Sequence, residues 1–324
     1  MNTTDAIRAV LTASSTVDLF GTDHPARRYR ELARALHPDV ASGPDAAAAF
    51  VRLARLWGDR HGTAIRTKLG EYRLTDLRYE GDLADLYDVG GARILKLPRS
   101  PANNDLMERE ATALRTLEEV GDPRFLPYVP RLVETFRHRD EVTGADRQVN
   151  VLGSAHGLHS LVEVRDAYPD GLDPRDAAWM WRRLLVAVGF AHRAGLVHGA
   201  VLPTHVLIEP GDHGLVLVDW CYSALPDERI PALVPEFADW YPAEVHKRQT
   251  PGPGTDIAMA TRCMTWLLGP KIPDPLRSFA AGCALSSLAA RPDDAWRLLD
   301  ELDGVLVSLY GPRRFRPFRL DPVS

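Results

Sequence analysis

The stretch from Leu185 to Ser223 restricts this chain more than any other, because it dictates a fixed order of elements around a loop rich in histidine. Trp181, Leu184, Leu185, Val188 and Ala191 recur at helical spacing, so an amphipathic helix leads in. The loop His198-Gly199-Ala200-Val201-Leu202-Pro203-Thr204-His205 follows. Two short apolar runs then flank Pro210-Gly211-Asp212-His213-Gly214, whose turn chemistry predicts a hairpin. The hairpin ends at Asp219-Trp220-Cys221.

This order resembles the catalytic loop and metal-binding segment of the protein kinase fold. In that family a His-Arg-Asp-x-Lys-Pro-x-Asn loop supplies a base and a metal ligand, and Asp-Phe-Gly supplies the main metal carboxylate. The loop here aligns without gaps, and the departures fall on the chemistry. Ala200 stands in the place of the base, Gly199 in that of the arginine, Leu202 in that of the lysine and His205 in that of the asparagine. Asp219 is kept, with Trp220 and Cys221 after it. A methyl group accepts no proton from a substrate hydroxyl, and imidazole is a poor partner for Mg²⁺, which prefers oxygen ligands. The resemblance therefore implies a kinase-shaped domain whose degenerate loop, His198, Ala200 and His205, transfers phosphate badly or not at all.

Upstream, Tyr72 to Leu97 reads as three strands, and Gly90-Gly91 predicts a two-residue hairpin turn between Leu83–Val89 and Ala92–Leu97. The turn at Glu80-Gly81-Asp82 holds one glycine between two carboxylates, a poor cradle for a triphosphate. Ala92-Arg93-Ile94-Leu95-Lys96 resembles the family's Val-Ala-Ile-Lys strand, and Lys96 is one of only four lysines. Asn103-Asn104-Asp105 offers caps for a helix carrying Glu108, Glu110, Leu114 and Leu117. By resemblance Glu110 pairs with Lys96, and the surviving set Lys96, Glu110 and Asp219 could hold ATP phosphates and one Mg²⁺ on Asp219. The same set could equally be an ion-pair relic in a domain that binds no nucleotide.

The first 66 residues carry a different pattern. Tyr29, Leu32, Ala33 and Leu36 form one apolar stripe, and Phe50, Leu53, Ala54 and Trp57 form a second, which predicts an antiparallel helical hairpin. Pro25 and Asp45 suit the two helix starts. Arg27, Arg30 and Arg34 share another face of the first helix. Between the helices lies His37-Pro38-Asp39. A basic helix led by tyrosine, this tripeptide and a second helix carrying Phe50 resemble the J-domain of DnaJ-type co-chaperones. The family's first helix falls on Asp5–Ala13, and a fourth helix is not evident. The resemblance implies that His37, Pro38 and Asp39 stimulate a DnaK-type chaperone, with Arg27, Arg30 and Arg34 on its acidic surface.

Beyond the loop, Trp240-Tyr241-Pro242-Ala243-Glu244 resembles the Ala-Pro-Glu end of a kinase activation segment. Asp256 resembles the family's buried aspartate under the catalytic loop, and Arg291 the late arginine that pairs with Glu244. Ser223 is the one hydroxyl candidate in the short segment before Trp240, so phosphorylation there is not expected. The tail Gly311–Arg319 interleaves four arginines with two phenylalanines; aromatics packed on the domain and arginines in solvent are the expected outcome, and an acidic partner is the alternative.

At 324 residues and 45% hydrophobic, the chain can bury a full core. A net charge of −5 argues against nucleic acid as partner, and no apolar run reaches membrane-spanning length. Cys221, Cys263 and Cys283 are widely spaced, which fits a reducing cytoplasm, and the preference for Arg over Lys suggests a GC-rich bacterial genome. Met1–Asp5 has no basic, apolar leader pattern. The expectation is an α+β, bilobal protein-kinase-like fold preceded by an all-α J-domain-like hairpin. Its parts are residues 1–66, a small lobe at 70–152, a large lobe at 153–310 and a basic, aromatic tail at 311–324. The expected role is a pseudokinase adaptor that recruits a DnaK-type chaperone and binds a client or regulatory protein. The alternative is an atypical phosphotransferase or nucleotidyltransferase built on the retained Lys, Glu and Asp.

Overall fold

The computed structural model describes residues 2–21, 25–37, 40–61, 63–74, 76–140 and 144–320. The chain divides into two compact units, residues 1–80 with 85–91 and residues 81–84 with 92–324.

The first unit is led by four helices: α1 (Thr3–Thr12), α2 (Thr16–Phe20), α3 (Pro25–Leu36) and α4 (Pro44–His61). Their spacing of apolar residues explains the packing, since Ala6 and Val10 of α1, Leu32 and Leu36 of α3 and Ala49 and Leu53 of α4 converge in one core. Full burial of each leucine there contributes about 1.5–3 kcal/mol. Tyr29 stacks on Trp57 at 4.4 Å between ring centroids, so the two predicted stripes do meet. Ala54 does not take part: it is exposed, and Ala49, one turn earlier, fills the seam. Arg52 donates to the Val10 and Ala13 carbonyls (3.0 and 2.9 Å), which satisfies the end of α1.

Directly after α3, the exposed His37 accepts from the Val40 and Ala41 N–H groups through its carbonyl. Its ring meets Phe50 edge-on at 6.1 Å. Pro38 and Asp39 lie outside the described residues. Arg27, Arg30 and Arg34 are exposed, and Arg27 pairs with Glu31 one turn on.

Four strands follow in sequence: β1 (Thr63–Arg66) pairs antiparallel with β2 (Glu71–Leu74), and β3 (Asp76–Glu80) with β4 (Ala84–Asp88). The next strand, β5, is Arg93–Pro98. Tyr72 to Leu97 therefore holds four strand segments where three were expected. The connection after β4 is also longer than the expected two-residue turn: Gly90, Gly91 and Ala92 all take positive φ, so strand geometry stops at Asp88 and resumes at Arg93.

In the second unit β5 pairs antiparallel with β7 (Asp146–Gly153), whose other edge carries β6 (Leu132–Arg139). Helix α5 (Asn104–Val120) packs on this sheet, and its Met107, Leu114 and Leu117 lie in the unit's core. The predicted caps act otherwise. Asn103 donates its side-chain amide to the Leu83 carbonyl, and Asn104 exchanges hydrogen bonds with Asp146 and Gln148 of β7, which ties the helix start to loop and sheet.

The remaining part is mainly helical. A short strand β8 (His159–Ser160) and helix α6 (Leu161–Ala167) precede α7 (Pro174–Arg193), whose Trp181, Leu184, Leu185, Val188 and Ala191 are all buried as their spacing requires. The predicted hairpin is β9 (Val206–Glu209) with β10 (Gly214–Leu217). Helices α8 (Ala243–His246), α9 (Pro253–Leu268), α10 (Asp274–Cys283) and α11 (Ala295–Tyr310) complete the unit, with α9 and α11 against α7. The tail lies on this unit: Phe318 is buried near Tyr168 and Trp179, Phe315 stacks on His213, and Arg316 pairs with Asp173 and Asp176. Among the described residues no helix is long and apolar enough to cross a membrane.

Candidate functional site

Lys96, on β5, points into the second unit and is 6% exposed. Its ammonium lies 3.0 Å from Glu110 Oε1 on α5, 2.6 Å from Asp219 Oδ1 and 3.2 Å from Cys221 Sγ. An ammonium has three donors, and here all three have partners. Burial alone would lower the Lys96 pKa, but the Asp219 and Glu110 carboxylates overrule it and raise it well above the ordinary value. The Cys221 thiol is pushed up by burial and by Glu110, so it stays neutral.

Glu110 is fully buried, and its second oxygen accepts from the Asn150 side-chain amide at 2.9 Å. Asn150 faces Lys96 across the β5–β7 register, and its oxygen accepts from Thr135 on β6. The ion pair is thus held by three strands and a helix.

Asp219 follows β10 in a left-handed conformation, φ 67° and ψ 60°, which aims its carboxylate at Lys96. Trp220 fits behind it because its indole N–H reaches the Leu217 carbonyl at 2.9 Å. The second Asp219 oxygen lies 3.2 Å from His205 Nε2. His205 Nδ1 is 2.9 Å from the Ala200 carbonyl. The His205 ring thus lies between the Asp219 carboxylate and the Ala200 carbonyl. The Asp219 carboxyl would be raised by burial, but Lys96 and His205 hold it far below the carboxylate range.

The loop before His205 is anchored from below. Asp256, buried near the start of α9, accepts from the His198 and Gly199 backbone N–H groups at 2.7 and 2.9 Å and lies 3.0 Å from His192 Nε2. His198 Nδ1 accepts the Ala200 N–H and Nε2 donates to the Val218 carbonyl, so the ring is the neutral Nε2–H tautomer. Burial takes its pKa down to about 4, in agreement. Gly199, in the place where the kinase family has arginine, is required here: it sits at φ 77°, and a Cβ there would meet the Tyr222 carbonyl oxygen at 2.6 Å. The Glu244–Arg291 pair forms as predicted, buried and bidentate at 2.6 and 3.1 Å.

Both loop histidines, His198 and His205, have each ring nitrogen against a protein partner.

Several site residues escaped the sequence reading. Cys221 was noted only as a departure, and it bonds Lys96. Asn150 carried a signal, being the one polar residue in the run Val149-Asn150-Val151-Leu152. Asp82 was read only as a carboxylate of the glycine turn, and Tyr222 carried no signal: the phenol hydroxyl donates to the Asp82 carboxylate at 2.9 Å over a separation of 140 residues, and the Tyr222 ring stacks on His205 at 5.9 Å and 18°.

The second unit's architecture is protein-kinase-like. The kinase domain of PknI from Mycobacterium tuberculosis superposes with a TM-score of 0.55 at 15% identity, covering 72% of this chain and 95% of that one. Vaccinia related kinase 3 superposes with a TM-score of 0.59 at 17% identity, covering 76% of this chain and 91% of that one. At such identity the likeness establishes the fold. No sequence-family model matches the chain. No curated protein matches it either.

The fold is consistent in general with ATP and Mg²⁺, so the fit of this donor set to the metal can be tested directly. Glu110, Asp219 and Cys221 bring ligand atoms within 4.8 Å of one another. The Lys96 ammonium already bonds all three, and His205 takes the other Asp219 oxygen. Mg²⁺ demands about six oxygens in octahedral array. A set whose carboxylates are already taken by an ammonium and an imidazole, beside a neutral thiol, does not fit it.

Proposed function

We propose that this chain is a pseudokinase adaptor: its kinase-like unit acts as a binding scaffold without phosphoryl transfer, and its J-like helical unit recruits a DnaK-type chaperone. The observation that carries the first half is the commitment of both Asp219 oxygens to Lys96 and His205 while Ala200 replaces the base. Phosphoryl transfer depends on a metal to gather negative charge and on a group to orient the nucleophile, and both places are filled by other chemistry. The surviving Lys96, Glu110 and Asp219 then serve as an internal ion-pair network joining sheet, helix and loop.

The second half is supported by the α3–α4 hairpin with exposed His37 at its junction and Arg27, Arg30 and Arg34 exposed along α3. An exposed basic helix face suits an acidic partner surface. The experiment has two arms on the full chain. Calorimetric titration with ATP, with and without Mg²⁺, followed by a labelled-phosphate transfer assay, is expected to give no metal-dependent binding and no transfer; Mg²⁺-dependent binding with transfer would return the protein to the phosphotransferases. Addition to a DnaK-type chaperone is expected to raise its ATPase rate, and His37→Gln to abolish the rise. An unchanged rate with wild type removes the co-chaperone role.

A further inference from the structure

Tyr222 lies between the loop that carries His205 and the turn that carries Asp82. Its ring lies nearly parallel to His205, which takes the metal-ligand place in the loop. Its hydroxyl donates to Asp82, in the glycine turn that in kinases closes over nucleotide phosphates. The side chain has no exposed surface. Burial, then Asp219 and Asp82, raise the phenol pKa, so it remains a neutral donor.

The position is also rigid on every side. Before Tyr222, Cys221 accepts from Lys96; after it, Ser223 gives its carbonyl to Arg109 of α5 at 3.1 Å. Arg109 also holds Glu228 at 2.5 Å, and Ala224 exchanges two backbone hydrogen bonds with Val197. The turn above is fixed equally: Gly81 N–H donates to the Ala84 carbonyl, and the Leu83 carbonyl accepts from Arg99 N–H and the Asn103 amide.

Resting on the pseudokinase reading, we infer that Tyr222 is a built-in occupant of the phosphate-binding space and the residue that determines the exclusion of nucleoside triphosphates from the cleft. A phosphate group at this place would have to displace a buried ring and meet the Asp82 carboxylate. The aromatic ring and the loop carboxylate together replace a cradle of backbone N–H groups by steric bulk and negative charge.

The test compares two double variants of the full chain that share a loop change and differ only in the ring: Asp82→Asn with Tyr222→Ala, and Asp82→Asn with Tyr222→Phe. Calorimetry with ATP, without Mg²⁺, is expected to show at least tenfold tighter binding for the alanine pair than for the phenylalanine pair, and no detectable binding by wild type at millimolar ATP. Equal affinities in two folded variants overturn the inference and leave the pseudokinase reading standing. Mg²⁺-dependent ATP binding and transfer by wild type overturn that reading instead. If circular dichroism shows the alanine pair unfolded, Tyr222→Leu replaces Tyr222→Ala: it keeps apolar volume near the backbone while vacating the outer ring, and no gain over phenylalanine again overturns the inference.

Discussion

Replacement of Lys96 by methionine separates a structural network from an open ligand site. Methionine keeps much of the lysine stem's volume and removes the ammonium, leaving Glu110 and Asp219 facing each other around a neutral thiol. Asn150 and His205 remain as partners, one for each carboxylate. Removing one partner of a buried ion pair costs about 3–5 kcal/mol, because buried negative charge is left uncompensated. For a unit of this size that loss lowers the unfolding midpoint by roughly 6–20 °C. Tryptophan fluorescence during thermal unfolding reads it, since Trp220 lies directly behind Asp219. The loss should shrink as pH falls, because burial without the ammonium favours the neutral carboxyl, and Glu110→Gln in the same chain should recover part of it. A methionine variant within 1 kcal/mol of wild type at pH 7 would refute the reasoning, because it would mean that the Lys96 charge is not offsetting buried carboxylates.

Three further outcomes follow from the same geometry. His198 has a folded pKa of about 4 against an ordinary 6.5, so the folded state excludes a proton that the unfolded chain accepts; stability is full above pH 6.5 and falls by about 2 kcal/mol between pH 7 and 5, a slope that urea titrations should find in wild type and not in His198→Asn. Arg291→Met strands the buried Glu244 and should cost about 3–5 kcal/mol in urea unfolding, with Glu244→Gln added to Arg291→Met restoring part of it. Gly199→Ala combines a left-handed φ with a Cβ 2.6 Å from the Tyr222 oxygen and should cost more than the ~1 kcal/mol of an unfavourable φ alone; a loss below that would mean the loop relaxes freely.

The kinase-like architecture was legible because its signals are local or strongly periodic. Trp181 to Ala191 give a helix face, Pro210–Gly214 give a turn, and the landmark residues Lys96, Asp219, Glu244, Asp256 and Arg291 occur in the family's order. The errors also have local causes. Gly90-Gly91 resembles a two-residue turn, but Ala92 also adopts positive φ, and nothing in an alanine announces that. Asn103 and Asn104 carry cap chemistry, yet the sheet and the Leu83 carbonyl compete for the same amides and win. Ala54 and Ala49 are equally apolar, and only the crossing of α4 on α1 and α3 selects between them. The Tyr222–Asp82 contact depends on the folded course of 140 intervening residues, so no window of sequence contains it.

The substitutions in the loop read as accidents one at a time and as a set once their contacts are counted. Lys96 lies against Glu110, Asp219 and the neutral Cys221, and His205 lies against the second Asp219 oxygen. An asparagine at position 205 would leave that oxygen without its imidazole partner, a place that a kinase fills with its metal. The imidazole takes the place from within the chain, its other nitrogen against the Ala200 carbonyl. On the pseudokinase reading a base at position 200 would have no metal-bound nucleotide to act with, and a methyl group there serves the buried loop better than a carboxylate. Ala200 is fully buried, so a carboxylate restored there would have to pay its own desolvation. Ala200→Asp alone is therefore expected to destabilise the protein without conferring phosphoryl transfer, whereas His205→Asn is the change that frees an Asp219 oxygen for a metal.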